Sequence, residues 1–154
     1  NYGPEARGGS CSSEVIISQE EILFPCVEEP EVLVCLSQEG YTKNIGNLRP
    51  DGTLIWETDL VRTGKTNPGW RTYHIPATRF AEELGNQMMA NIVMIGFLAA
   101  VVPLVETEAM RRAVQESVPS ATRESNAQAF DRGYEYGGAI LKGRAKQERS
   151  REVK

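Results

Sequence analysis

The segment Gly3-Pro4-Glu5-Ala6-Arg7-Gly8-Gly9 carries the most unusual grouping of residue types in the chain. Gly3, Gly8 and Gly9 lack a Cβ, so peptide N–H groups there can approach a ligand or a partner closely, and Arg7 can pair with a phosphate or a carboxylate. Composition alone favours a plainer reading, a glycine-rich entry turn with a local Glu5–Arg7 pair, because such turns are common without ligands. Other chemistry-bearing residues are scattered. His74 lies beside Ile75 and Pro76 with no His, Cys or Asp companion nearby to orient it as a base. Asp59 follows an apolar run at the carboxyl end of a predicted strand, where α/β sheets place ligand contacts, and it equally suits a cap for the next turn. Asn91, flanked by Ala90 and Ile92, and Asn126, near the start of the last helix, fit structural hydrogen bonds better than substrate contacts.

Metal and nucleophile chemistry find little support. Cys11, Cys26 and Cys35 form no C-x-x-C pair, and one histidine adds no zinc or iron–sulfur spacing. Cys35 sits in an apolar strand as a small core residue, and neither Cys11 nor Cys26 has a flanking base to stabilise a thiolate. There is no G-x-G-x-x-G, P-loop, nucleophile elbow or paired-carboxylate motif, so no catalytic residue is assigned.

The elements that must position these residues follow from pattern. Ser12–Ser18 has a β-branched centre and reads as a strand. Glu31–Leu36, preceded by Pro30, is a near-continuous apolar run of the kind buried on both faces of a parallel sheet. Ser37 is a plausible N-cap for a helix reaching about Leu48, and Arg49-Pro50-Asp51-Gly52 is a strong turn. Thr53–Glu57 and Trp70–Ile75 are further strands. Pro76 suits the first turn of a helix over Ala77–Leu84 that stops at Gly85. Beyond it the chain reads as helical. A buried helix over Gln87–Val102 ends at Pro103, and a helix over Glu108–Val118 is capped by Thr107. A last helix, capped by Ser125 or Thr122, is weakened at Gly137-Gly138. The fold class is α/β, a Rossmann-like three-layer domain with a mostly parallel sheet and a helical C-terminal part. Residues 1–141 are expected to form one domain and 142–154 a basic tail.

Net charge −4 with interspersed basic residues gives no footprint for nucleic acid. The longest apolar stretch, Ile92–Val102, is too short to span a membrane. An odd cysteine count and no signal peptide favour a reducing cytoplasm.

The residues also resemble a family. Asn1–Ser18, NYGPEARGGSCSSEVIIS, is similar to the loop and strand of gamma subunits of 2-oxoacid:ferredoxin oxidoreductases, where Y-G-P-E-A-R-G-G leads into an S-E-V-x-I-S strand. The likeness continues through Glu31–Glu39 with Tyr41, Gly52–Ile55, Asp59–Val61, Ile75–Thr78, Ala90-Asn91, Gly96, and Asn126 to Ala129-Phe130 and Gly133-Tyr134. It implies a non-catalytic-core subunit of a complex that decarboxylates a 2-oxoacid, transfers the acyl group to coenzyme A and reduces ferredoxin. The implied partners are alpha, beta and, where present, delta subunits, with thiamine diphosphate, iron–sulfur clusters and Mg2+ held by those chains and none bound by this chain alone. The E-A-R-G-G form resembles the 2-oxoglutarate or 2-oxoisovalerate branch, with 2-oxoglutarate favoured. Gly3, Glu5, Arg7, Gly8 and Gly9 would then form a coenzyme A or subunit contact, and the alternative is a module that only docks partner subunits. The family's N-terminal strand and G-x-G-G-Q-G loop have no counterpart here, and a start at Asn1 suggests a missing upstream segment.

Overall fold

Three runs rich in β-branched and aromatic residues pair into a sheet: β1 (Val32–Cys35), β2 (Thr53–Glu57) and β3 (Arg71–Ile75), in the order β1-β2-β3. These and the elements below are taken from a computed structural model that describes residues 11–152. The sheet is parallel: Val32 stands opposite Thr53 and Cys35 opposite Trp56, and β3 joins β2 through Arg71 N–H to the Gly52 carbonyl. Helix α1 (Gln38–Asn44) lies in the crossover from β1 to β2, whereas a loop alone, residues 58–70, carries the chain from β2 to β3; with the helices that follow, the α/β class read from the strand, helix and turn order holds. Two compact units result. One holds the described residues up to Trp56 together with Leu60–Tyr73, and the other holds Glu57–Asp59 and the chain from His74 onward.

In the first unit, helix α1 starts where Ser37 allows it, since the Ser37 Oγ accepts a hydrogen bond from Gly40 N–H at 3.1 Å. That bond satisfies one of the amides left orphaned at a helix start. Ser37→Ala is therefore expected to lower stability by about 1 kcal/mol, and an unchanged urea midpoint for the purified chain would show that the cap does not contribute. The predicted turn forms, with Gly52 N–H bonded to the Arg49 carbonyl at 2.9 Å. A core of Cys35, Tyr41, Leu48, Leu54 and Val61 is covered by Leu33, Ile45, Trp56 and Trp70.

The second unit is helical: α2 (Ala77–Glu83), α3 (Ala90–Val101), α4 (Thr107–Ser117) and α5 (Arg123–Glu152). Gly85, at φ 86°, stops the chain behind α2 as expected, because few side chains accept that left-handed backbone. Helix α3 is buried on most of its circumference and packs very closely along α5. The bidentate pair of Arg111 with Asp131, at 2.7 Å for each bond, ties α4 to α5. Phe80 stacks edge-on to Tyr136 at 5.1 Å and lies 3.9 Å beneath the guanidinium of Arg132. No helix among the described residues is long and apolar enough to cross a membrane.

Several expectations need correction. Ser12–Ser18 is not a strand. Its backbone has no ladder partner among the described residues, and strand propensity expresses packing on a pleated surface that nothing supplies here. Val15 stays 76% exposed, and Leu23 further along the same loop 86%. Thr107 is the first residue of α4 and not its cap; Glu106 occupies the cap position without a side-chain bond. The stretch from Gln87 divides into a 3-10 turn, Gln87–Met89, and α3. Gly137-Gly138 does not weaken α5, which runs on to Glu152, because Gly137 lies in the seam against Ala100 and Phe97, where packing outweighs propensity.

Candidate functional site

The expected contact loop, Gly3, Glu5, Arg7, Gly8 and Gly9, lies outside the described residues. The other singled-out residues are not brought together. Asn91 is exposed at the start of α3, where its Oδ1 accepts from Ile92 N–H at 2.9 Å. Asn126 is buried, and its Nδ2 donates to the Thr122 carbonyl at 2.8 Å, tying the 3-10 turn Ser120–Thr122 to α5. His74 is an exposed residue of β3. Cys11 and Cys26 are exposed thiols, while burial pushes the Cys35 thiol up to about 11, leaving it protonated at neutral pH as a core side chain.

Polar chemistry concentrates at two places behind the carboxyl ends of the strands. The first is in the helical unit. Glu57, the last residue of β2, is completely buried, and its carboxylate accepts from Asp59 N–H at 2.6 Å and from Thr78 N–H at 3.2 Å. One side chain thus braces both the bend after β2 and the first turn of α2. Asp59, set by that bend, grips Arg79 with two bonds of 2.7 and 2.9 Å. The hydrogen bonds that Arg79 donates to the Asp59 carboxylate hold its guanidinium above its ordinary range, so it stays charged. Asp59 was singled out from its place after the strand; Glu57 was not. Its signal was present, since Thr53, Ile55 and Glu57 fall on one alternating face of a strand whose other members are buried.

The second place is in the sheet unit. The loop after β2 is pinned to α1 by the amide of Gln38, whose Oε1 accepts from Arg62 N–H at 2.8 Å and whose Nε2 donates to the Arg62 carbonyl at 3.3 Å. The Tyr41 hydroxyl accepts from Gly64 N–H at 3.4 Å. The far end of the loop is held as well: Trp70 Nε1 donates to the Arg49 carbonyl at 2.9 Å, and Gly69 sits against the Pro50 carbonyl. No motif marked this loop, because its geometry comes from side chains more than 20 residues away.

Neither place is a metal centre, since no group of three His, Cys, Asp or Glu side chains among the described residues could hold an ion. The three cysteines do not supply the four thiolates of an all-cysteine iron–sulfur cluster, and one of them is a protonated core thiol.

Comparison with known proteins agrees with the fold. The pyruvate ferredoxin/flavodoxin oxidoreductase family matches residues 1–136. The 2-oxoglutarate synthase subunit KorC of Methanocaldococcus jannaschii is 47% identical over 137 residues, covering 88% of this chain and 73% of that one. The subunit of the same name from Methanothermobacter marburgensis is 40% identical over 141 residues, covering 88% of this chain and 76% of that one. In three dimensions, the gamma subunit of a keto/oxoacid ferredoxin oxidoreductase from Geobacter sulfurreducens matches with a TM-score of 0.66 at 31% identity, covering 71% of this chain. The chain spans 64% of that subunit's length. From its matched sequence, its parallel sheet and its helical C-terminal part, the chain belongs to the pyruvate ferredoxin/flavodoxin oxidoreductase family and is a gamma-type oxidoreductase subunit.

Proposed function

We propose that this chain is the gamma-type subunit of a complex that oxidatively decarboxylates 2-oxoglutarate, passes the acyl group to coenzyme A and reduces ferredoxin. The observation that carries the reading is the 47% identity to a 2-oxoglutarate synthase subunit over 88% of the chain. In this reading alpha, beta and, where present, delta subunits hold thiamine diphosphate, Mg2+ and the iron–sulfur clusters, and the complex works in the cytoplasm. This chain supplies contacts to coenzyme A and to its neighbours, through a loop formed by Gly3, Glu5, Arg7, Gly8 and Gly9. Residues 1–141 act as one functional domain with 142–154 as its basic tail.

Arg7→Ala in the assembled complex is expected to raise the KM for coenzyme A by about tenfold or more, the loss of one charge-assisted contact. Viologen reduction driven by 2-oxoglutarate, with coenzyme A varied, measures it; an unchanged KM together with unchanged assembly removes the loop from the coenzyme site. Purifying the chain with its partners and finding no coenzyme-dependent reduction from 2-oxoglutarate would remove the substrate assignment.

A second reading, a module that only docks partner subunits, is favoured by the exposed apolar side chains of Val15, Ile17, Leu23 and Phe24. Under it, Arg7→Ala weakens assembly and leaves the coenzyme KM unchanged at matched complex concentration.

A further inference from the structure

Arg49, Arg79, Arg111 and Arg132 each face an acid at 2.7–3.3 Å. Arg62 and Lys65 are exposed and, like Lys43 and Arg71, have no acid partner among the described residues; what sets them apart is that they lie together on one loop. In a chain of net charge −4, two cations left unneutralised within four residues form a local positive site in an acidic background. They stand on the loop that Gln38 and Tyr41 pin to α1 at one end and that Trp70 and Gly69 hold at the other. Gly64, whose N–H is the one bonded to Tyr41, has open space where a Cβ would lie, so a ligand can approach the loop beside the two cations. The loop also follows the carboxyl end of a parallel strand, the side on which open α/β sheets bind ligands. A loop whose backbone is fixed at both ends loses little backbone freedom on binding.

We propose that Arg62 and Lys65 form an anion site for the phosphate groups of a nucleotide-type ligand, which is coenzyme A if the functional reading above holds, and the proposal rests on that reading. The guanidinium offers a planar fork to phosphate oxygens and the ammonium a mobile point charge, a pairing suited to a phosphate ester.

The test uses the assembled complex carrying Arg62→Gln and Lys65→Gln together, with initial rates measured against coenzyme A and against its 3′-dephospho form. The expected result is a KM for coenzyme A raised about tenfold or more, kcat little changed, and recovery toward the parent value in the swapped variant Arg62→Lys with Lys65→Arg. An equal rise for both forms places the site at the pyrophosphate, and a smaller rise for the dephospho form places it at the 3′-phosphate. A parent-like KM for both ligands overturns the proposal, as does a loss of assembly with no change in KM, which would make the loop a protein contact. If Arg7→Ala raises the KM while the double variant does not, the subunit reading stands and this site falls. If the parent complex shows no dependence on coenzyme A, the reading itself falls.

Discussion

Gly133→Ala is expected to cost about 2–4 kcal/mol of stability, whereas Gly138→Ala, five residues along the same helix, is expected to add up to about 1 kcal/mol. Both changes put a methyl group on α5, and both improve its intrinsic helix preference by the same amount. They differ in what the methyl group meets. At Gly133 it would run into the carbonyl of Val93 and lie 2.9 Å from Phe97 N, both backbone atoms of α3 that cannot swing aside. Relief requires the two helices to separate, and the packing of Phe97, Phe130 and Ala129, all essentially inaccessible to solvent, loosens with them. At Gly138 nothing lies within 4 Å. Gly96→Ala should behave like Gly133→Ala, because its new Cβ would strike the Phe130 carbonyl from the opposite side of the seam. Urea unfolding of the three variants measures this directly. Equal midpoints for the substitutions at 133 and 138 would mean that α3 and α5 do not approach as closely as described.

Glu57→Leu carries the other large effect, a loss of about 2–4 kcal/mol. Leucine fills a similar volume and removes a buried charge, and the removal of the charge is favourable. It also leaves the amides of Asp59 and Thr78 facing an apolar side chain, and a buried donor without an acceptor costs about 1–3 kcal/mol. The two amides outweigh the relief from losing the charge. Glu57→Gln should cost less than the leucine change, since one acceptor oxygen persists while the amide NH2 faces a backbone donor. The order wild type, Gln, Leu in unfolding midpoint is the expected outcome. A leucine variant as stable as the parent would show that the carboxylate does not brace the corner.

Much of the fold was legible because its signals are local. Thr53–Glu57 was placed to the residue, the helix cap at Ser37 and the turn at Arg49–Gly52 follow from side chains that bond to their own neighbourhood, and Gly85 stops α2 through its own backbone freedom. The exception at Ser12–Ser18 has the same logic, because its composition suits a strand but a strand requires a partner, and none is present among the described residues. The family was legible too, from motifs spread over nearly the whole chain, and the family match covers residues 1–136.

The polar sites were not legible to the same degree. Gln38 reaches Arg62 across 24 residues and Glu57 reaches Thr78 across 21, and no pattern in either short segment announces the other. Gly137, read as a weak point of a helix, proved to be a contact surface once α3 lay against it. By itself the sequence determined the α/β class, most helix and strand positions and the oxidoreductase family, all of which rest on short-range chemistry or repeated motifs. Only the tertiary structure decided which glycines are seams, which carboxylate is a buried brace and which cations stand unpaired, because each depends on the neighbour that folding brings.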